Sequence, residues 1–446
     1  MLKKIRIGSG AGYSGDRIDP AVELARCARL DYLVFECLAE RTLALAQQSR
    51  DAGRNDGYDP LLIERMTAVL PECHRQGIKI ISNMGAANPL AAAHKTAELA
   101  RSMGLRNMKI AAVLGDDVLS WVRSSAKEHV IHDGRTVGSV MDRVISANAY
   151  LGAAPLVEAL ADGADVVITG RVADPSLFVA PMMHEFCWSA NNWSEMGQAT
   201  VIGHLLECAG QLTGGYFADP GYKDVPNLAH LGFPYAEVSA DGSAVFSKVD
   251  GSGGLLNRET CIEQLLYEIQ DPCSYLTPDV IADFSRVTIE EMGENSIAVC
   301  GGGGRERPPT LKVTIAFRDG FIGEGQISYG GLGALDRARL AISVLEERLQ
   351  NHNLDETRFD LIGVNSIHGE QLSAAAPEPY EVRVRAVGRA QSRAVASIVA
   401  REVESLYTNG PAGGGGVTTS TRETVNLATT LIPSNCVRAS VQYEVS

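Results

Sequence analysis

Asp165-Val166-Val167-Ile168-Thr169-Gly170-Arg171-Val172-Ala173-Asp174-Pro175-Ser176 is a short apolar run that ends on polar residues, followed by a helix-start signal. The same event occurs at Ile5-Arg6-Ile7-Gly8-Ser9, Tyr32-Leu33-Val34-Phe35-Glu36 and Lys79-Ile80-Ile81-Ser82-Asn83, and again from Ile110 to Asp116. If these runs are parallel strands of one sheet, their polar ends share one edge, where open α/β sheets bind ligands.

Between the runs, Asp19-Pro20, Asp59-Pro60, Asn88-Pro89 and Asp174-Pro175 each put an N-cap residue before a proline suited to a first helical turn. Leu90 to Met103 is alanine-rich and suits a helix packed on a sheet. A further strand over 143–147 and a short helix over 155–161 bring the count to about six strand-helix units before residue 240. A barrel needs about eight. The expected fold is therefore α/β, with an open, doubly wound, mostly parallel sheet in residues 1–240, and an incomplete or elaborated (β/α) barrel as the alternative. Turn chemistry at Asp241-Gly242 and Asp250 to Gly254 predicts a junction over 241–270, followed by a smaller α+β domain over 271–446. In that domain, Arg318-Asp319-Gly320 reads as a hairpin turn between strands 311–317 and 321–328, and residues 437–445 read as a half-buried strand.

The 446 residues exceed the size of a single core, so two domains are the default. A formal charge of −14 without a basic patch argues against nucleic acid and anionic membrane as partners. Nine scattered cysteines with no paired spacing do not form a disulfide framework or a structural zinc motif. The absence of a signal-like stretch or a long apolar run places the expected location in the cytoplasm.

The loop Gly8-Ser9-Gly10-Ala11-Gly12-Tyr13-Ser14-Gly15-Asp16-Arg17 nearly reproduces a dinucleotide fingerprint, so Ser9, Gly10, Gly12, Tyr13 and Arg17 are candidate ligand contacts. Glu36, at the end of the second run, is a candidate general base, whereas Glu40 suits a helix N-terminus. Asn83 is a candidate for orienting a carbonyl and ranks above the pair Asp116-Asp117. Arg171 offers a bidentate fork to a carboxylate or phosphate, with Asp174 beside it as N-cap or substrate contact. The paired imidazoles in Glu128-His129-Val130-Ile131-His132-Asp133 lack further ligands, so no metal is expected. His204 and Glu207 share a helical face as an acid-base pair or, equally, as a helix-surface or core contact. Two glycine tracts, 301–304 and 410–416, imply close backbone approach to a ligand or another segment. In the second, Gly413, Gly414, Gly415 and Thr418 form a candidate second binding loop.

The 8–17 loop, the stretch Asp31 to Glu40, Thr169 to Asp174 and the stretch Gly410 to Thr424 together resemble the bacterial acyclic terpene utilisation (AtuA-type) family over nearly the whole chain. The resemblance implies a link to catabolism of branched terpenoid alcohols or acids, such as citronellol and geraniol, and their coenzyme A esters. It brings no assigned reaction, so no catalytic residue is transferred.

These features support a catabolic enzyme acting on a small organic acid or its acyl-CoA thioester by hydration, dehydration or a related proton transfer. In that reading Glu36 moves the proton, Asn83 orients the carbonyl and Arg171 fixes the carboxylate or phosphate. No resident cofactor is expected, and coenzyme A enters only as part of a substrate. Two alternatives stand beside it: a non-catalytic binding or scaffold subunit with a catabolic partner, and a nicotinamide-dependent oxidoreductase that uses the glycine loop. A homo-oligomer is expected on general grounds.

Overall fold

The structure, a computed structural model, describes residues 2–125, 129–375 and 377–446. Glu128 of the paired-imidazole motif lies outside the described residues. The chain forms two compact units, Met1–Ala316 with Leu427–Ser446, and Phe317–Asn426.

In the first unit the strands run in the order β1 (Lys4–Ala11), β2 (Tyr32–Phe35), β3 (Lys79–Ser82), β4 (Lys109–Leu114), β5 (Val144–Ala149), β6 (Val166–Thr169), β7 (Pro234–Ser239) and β8 (Ala244–Lys248). Five lie parallel in the spatial order β1-β2-β3-β6-β4. Antiparallel strands extend both sides: β7, β8, Ser296–Cys300 and Thr288–Gly293 beyond β1, and Ser440–Val445 beyond β4. The result is a mixed ten-stranded sheet that does not close into a barrel.

Three sequence expectations change here. The strand expected over 143–147 forms as β5 but stands outside this sheet, paired with the strand Thr310–Gly330. The turn at Asp241-Gly242 joins β7 to β8 within one sheet, with Gly242 at φ +84°, so it is a hairpin and not a domain junction. The C-terminal strand, read as part of the second domain, pairs with β4 from Val445↔Lys109 to Ser440↔Leu114 and belongs to the first unit.

The helices of this unit begin with α1 (Asp19–Cys27), α2 (Glu40–Asp51), α3 (Leu62–Gln76), α4 (Pro89–Ser102), α5 (Leu119–Ser125), α6 (Ala154–Ala161), α7 (Ser176–Phe186) and α8 (Trp193–Glu207). Successive side chains of a strand point to opposite faces, so β2 serves two cores. Leu33 and Phe35 join Leu24 of α1, Met66 of α3 and Ala93 of α4 on one face; Tyr32 and Val34 join Leu156 of α6, Phe178 of α7 and Leu205 of α8 on the other. From β1 to β4 the chain advances across the sheet, then turns back to insert β6. A right-handed crossover that reverses direction must put its helix on the opposite face, which is where α6 lies.

Of the four Asx-Pro signals, only Asn88 caps as expected, its Oδ1 accepting from Ala91 N–H at 3.3 Å. Asp19 lies inside α1 and pairs with Arg17. Asp59 accepts from Leu61 N–H at 2.8 Å one residue ahead of α3. Asp174 turns to Arg171, leaving Pro175 as the residue before α7.

From Met196 to Glu207 every residue of α8 is buried. Such a helix needs neighbours that approach its backbone, and the first glycine tract supplies one. A Cβ on Gly197 would stand 1.9 Å from Gly303 O, and Gly302 N–H donates to Gln198 Oε1 at 2.7 Å. The tract therefore approaches a chain segment. Gly197→Ala forces two backbones apart and should lower stability by about 1–3 kcal/mol in urea denaturation; an unchanged midpoint would show that the tract yields freely.

In the second unit the chain runs through the part of Thr310–Gly330 from Phe317 onward, then Ala334–Leu349, Glu356–Ile362, Glu381–Ala390, Arg393–Asn409 and Gly415–Pro433 up to Asn426. Apart from the short helix Gly369–Ser373, this is a β-α-β-β-α-β order, with the strand from Thr310 central beside Glu381–Ala390. Where a hairpin was expected at 318–320, one strand continues without turning. Gly320, at φ +78°, absorbs an irregularity beside Ala390 O.

Candidate functional site

A cleft of about 1190 Å³ opens in the first unit where β1, β2 and β6 end. Gly12 to Arg17 reach it from β1, Glu36 to Glu40 from β2, and Arg171 with Asp174 from β6. Its walls include Leu38, Leu231, Phe233, Tyr275 and Leu311, while its acids, Asp16, Glu36, Glu40, Asp174, Glu207 and Glu268, outnumber its cations, Arg17, Arg171 and Lys312.

Glu36 is 8% exposed, and its Oε1 accepts from Leu38 N–H at 3.0 Å and from Asn83 Nδ2 at 2.9 Å. Burial, then the nearby Asp174 carboxylate, pushes the Glu36 carboxyl up to about 8. With Oε1 accepting twice, the acid proton belongs on Oε2. Asn83 does not reach the cleft wall. It is fully buried, its Oδ1 accepting from Cys37 N–H at 2.7 Å, so both ends of the amide hold the β2 terminus. The expectation that Asn83 orients a substrate carbonyl is corrected to one of positioning Glu36.

Arg171 is 2% exposed and lines the cleft, but its fork is engaged by the protein. Nη1 donates to Leu38 O, Nη2 pairs with Asp174, and the guanidinium carbon sits 4.2 Å from the Tyr150 ring centroid. A free bidentate clamp is thus replaced by a fixed positive charge. Tyr150 OH donates to Glu40 Oε1 at 2.5 Å, and Lys312 Nζ reaches the same oxygen at 2.8 Å. Asp116, at the end of β4, accepts from Arg171 N–H and Asn148 Nδ2, each at 2.9 Å, and burial pushes it up to about 6. It anchors the β6 terminus from behind the cleft.

The glycine loop is shorter than its sequence implies, because β1 continues to Ala11. Ser9 is buried within β1, and a Cβ on Gly10 would meet the Phe35 ring at 2.6 Å, so neither contacts the cleft. Gly12 N–H donates to Asp16 Oδ2 at 2.9 Å, so a carboxylate of the chain itself occupies the amide expected to cradle a ligand anion. Tyr13 and Arg17 do line the cleft, Arg17 paired with Asp19. The loop is held from below by Arg65 of α3, fully buried, whose Nη2 donates to Ser14 O at 2.8 Å and Asp16 O at 3.0 Å. Its Nη1 lies 3.2 Å from Cys37 Sγ and 3.6 Å from Asp59 Oδ1. Sequence reasoning missed Arg65; the available signal was a cation in the apolar stripe Leu62, Met66, Val69 and Cys73.

At the end of α8, Glu207 forms part of the cleft wall, and its Oε1 lies 2.8 Å from His204 Nδ1. Among the described residues, Glu207 Oε2 is buried without a hydrogen-bond partner. Burial, then Asp174 and Glu268, pushes the Glu207 carboxyl well above its usual range, while burial pushes His204 down to about 4.

The remaining candidates lie elsewhere. His129 Nδ1 meets Leu431 O at 3.1 Å, and His132 Nδ1 accepts from Thr429 N–H at 3.2 Å, so both imidazoles bind backbone. Among the described residues, no group of three His, Cys, Asp or Glu side chains is placed to hold a metal ion. Gly413, Gly414, Gly415 and Thr418 belong to the second unit, where Thr418 Oγ1 accepts from Arg383 Nη2 at 2.8 Å and a Cβ on Gly414 would meet Ile327 at 2.8 Å.

Fold and site together define an α/β protein with an acid-rich, apolar-walled cleft at the C-terminal edge of a mixed sheet. The family model described as acyclic terpene utilisation family protein AtuA matches residues 5–443, so the chain belongs to that family. Membership implies a role in acyclic terpene utilisation. Comparison with curated proteins and with solved structures finds no match. Among the described residues, no helix is long and apolar enough to cross a membrane.

Proposed function

We propose that the cleft binds the coenzyme A thioester of a branched, unsaturated acid and catalyses hydration of its double bond or the reverse dehydration. The observation that carries this reading is Glu36, buried in the wall of an apolar-sided cleft with Oε1 held by Leu38 N–H and Asn83 Nδ2, where burial pushes its carboxyl up to about 8. In hydration, Glu36 gives its proton to one alkene carbon while water adds through oxygen to the other. The proton that water then releases restores the acid. Arg171, fixed over Tyr150, stabilises negative charge as it develops on the thioester oxygen. Arg171, the cation beside Glu36, is already paired with Asp174, which supports the neutral thioester over the free acid at the reacting end. Arg17 and Lys312, the more exposed cations, suit the phosphates of the coenzyme.

3-Methylbut-2-enoyl-CoA in D₂O tests the reading, with 3-methylbut-2-enoic acid as control. Expected results are the hydrated thioester carrying deuterium on carbon, thermal stabilisation by the thioester exceeding that by the acid, and turnover that declines as pH rises through about 8 and the Glu36 acid form is lost. Absence of both product and stabilisation would overturn it.

A further inference from the structure

We propose that Glu40 is the general base of this cleft, taking a proton through Oε2 from the water that adds to the alkene, with Tyr150 as the residue that positions it. The inference rests on the thioester reading above.

The geometry begins with a short connection. β2 ends at Phe35 and α2 starts at Glu40, so only Cys37, Leu38 and Ala39 separate two carboxyl groups that both line the cleft. Glu40 is the first residue of α2, where a negative charge meets the helix N-terminus favourably. That role needs no partner. Glu40 nevertheless has two, from segments 110 and 272 positions away: Tyr150 OH donates to Oε1 at 2.5 Å, and Lys312 Nζ donates to the same oxygen at 2.8 Å. Tyr150 is itself fixed by cations, with the Arg171 guanidinium carbon 4.2 Å and Lys312 Nζ 4.7 Å from its ring centroid. Oε2 makes neither bond and is not sealed by the protein, since the side chain is 34% exposed at the cleft wall. A carboxylate anchored through one oxygen and open at the other has the form of a positioned proton acceptor.

The charges around Glu40 keep it ionised. Burial alone would raise its carboxyl, but the bonds from Lys312 and Tyr150, then the charges of Lys312 and Arg171, hold it below its ordinary value. Asp174, paired with Arg171, is the acid that opposes it. Glu36, at the other end of the connection, is pushed up to about 8. One carboxyl group therefore has a proton to give at neutral pH, and the other has room to take one.

The step balances. Glu36 gives its proton to one alkene carbon, whose new C–H bond takes the π electron pair; a water lone pair forms the C–O bond at the other carbon, and the proton that water releases passes to Glu40 Oε2. Glu40 then loses that proton to solvent, and Glu36 regains one. In dehydration the roles reverse: Glu40 protonates the departing hydroxyl and Glu36 takes the carbon-bound proton.

The test uses the full chain and 3-methylbut-2-enoyl-CoA. Glu40→Gln should lower kcat by about 100-fold or more with KM within a few-fold, and the thioester should still stabilise it against heat. In wild type kcat falls at acid pH as Glu40 takes a proton, and this limb should be absent from Glu40→Gln. Tyr150→Phe keeps the base and the ring but loses a bond that favours the carboxylate, so it should move the acid limb to higher pH. A wild type that fails to convert the thioester overturns this inference, and one that also fails to bind it overturns the reading as well. If wild type turns over while Glu40→Gln matches it, keeps the acid limb or no longer responds to the thioester, this inference alone falls. An acid limb that Tyr150→Phe leaves in place removes the positioning role.

Discussion

Glu36→Gln lowers turnover of a branched enoyl thioester by about 10²- to 10⁴-fold, the range for loss of a positioned acid-base group. The amide is nearly isosteric and can still accept from Leu38 N–H and Asn83, so the β2 terminus keeps its geometry while the transferable proton is gone. The same substitution should raise stability at neutral pH. A carboxyl whose folded pKa is about 8 binds its proton more tightly folded than unfolded, where its ordinary value is 4.5. Stability therefore falls as pH rises from about 4.5 to about 8, as the unfolded chain ionises and the folded one resists. Glutamine does not titrate, and this part of the decline disappears. Urea denaturation across that window, paired with steady-state kinetics, checks both halves. A variant with wild-type turnover removes Glu36 from the chemistry, and one with the wild-type pH slope shows that the carboxyl is not the buried titrating group.

Arg65→Ala has the largest expected effect on the fold, a loss of about 3–5 kcal/mol. The side chain is fully buried, and its removal orphans the carbonyls of Ser14 and Asp16 and leaves the Asp59 carboxylate without its cation. Arg65→Lys should recover only part of this, because one ammonium cannot reproduce a planar fork that meets the loop carbonyls with one nitrogen and Cys37 Sγ with the other. The loop so held contains the cleft residues Tyr13, Asp16 and Arg17, so ligand stabilisation should fall along with the urea midpoint. A loss below about 1 kcal/mol would mean that water replaces the guanidinium at every partner.

The strand-end pattern was legible because it is local: an apolar run followed by a polar residue states where a buried strand leaves the sheet. That rule led to Glu36 and Arg171, and both line the cleft. It failed for Asn83 and Ser9, which obey the same pattern but are buried behind the wall. Position along a strand does not tell which way the last side chain turns. Arg65 and Tyr150 were illegible for another reason, since each is a residue of an ordinary helix or loop until a distant segment reaches it. Tyr150 has no marked role until Arg171 stacks on it from 21 positions away.

Local patterning by itself determined the α/β class and the strand-helix rhythm of the first 180 residues, because periodicity and helix-start chemistry act within a few residues. Tertiary structure alone decided that the C-terminal strand returns to pair with β4, that β5 leaves the sheet, and that the glycine tract at 301–304 serves a helix. It also decided which polar side chains face the cleft. Those outcomes depend on contacts between segments far apart in the sequence, whose pairing and burial energies exist only once the chain has folded.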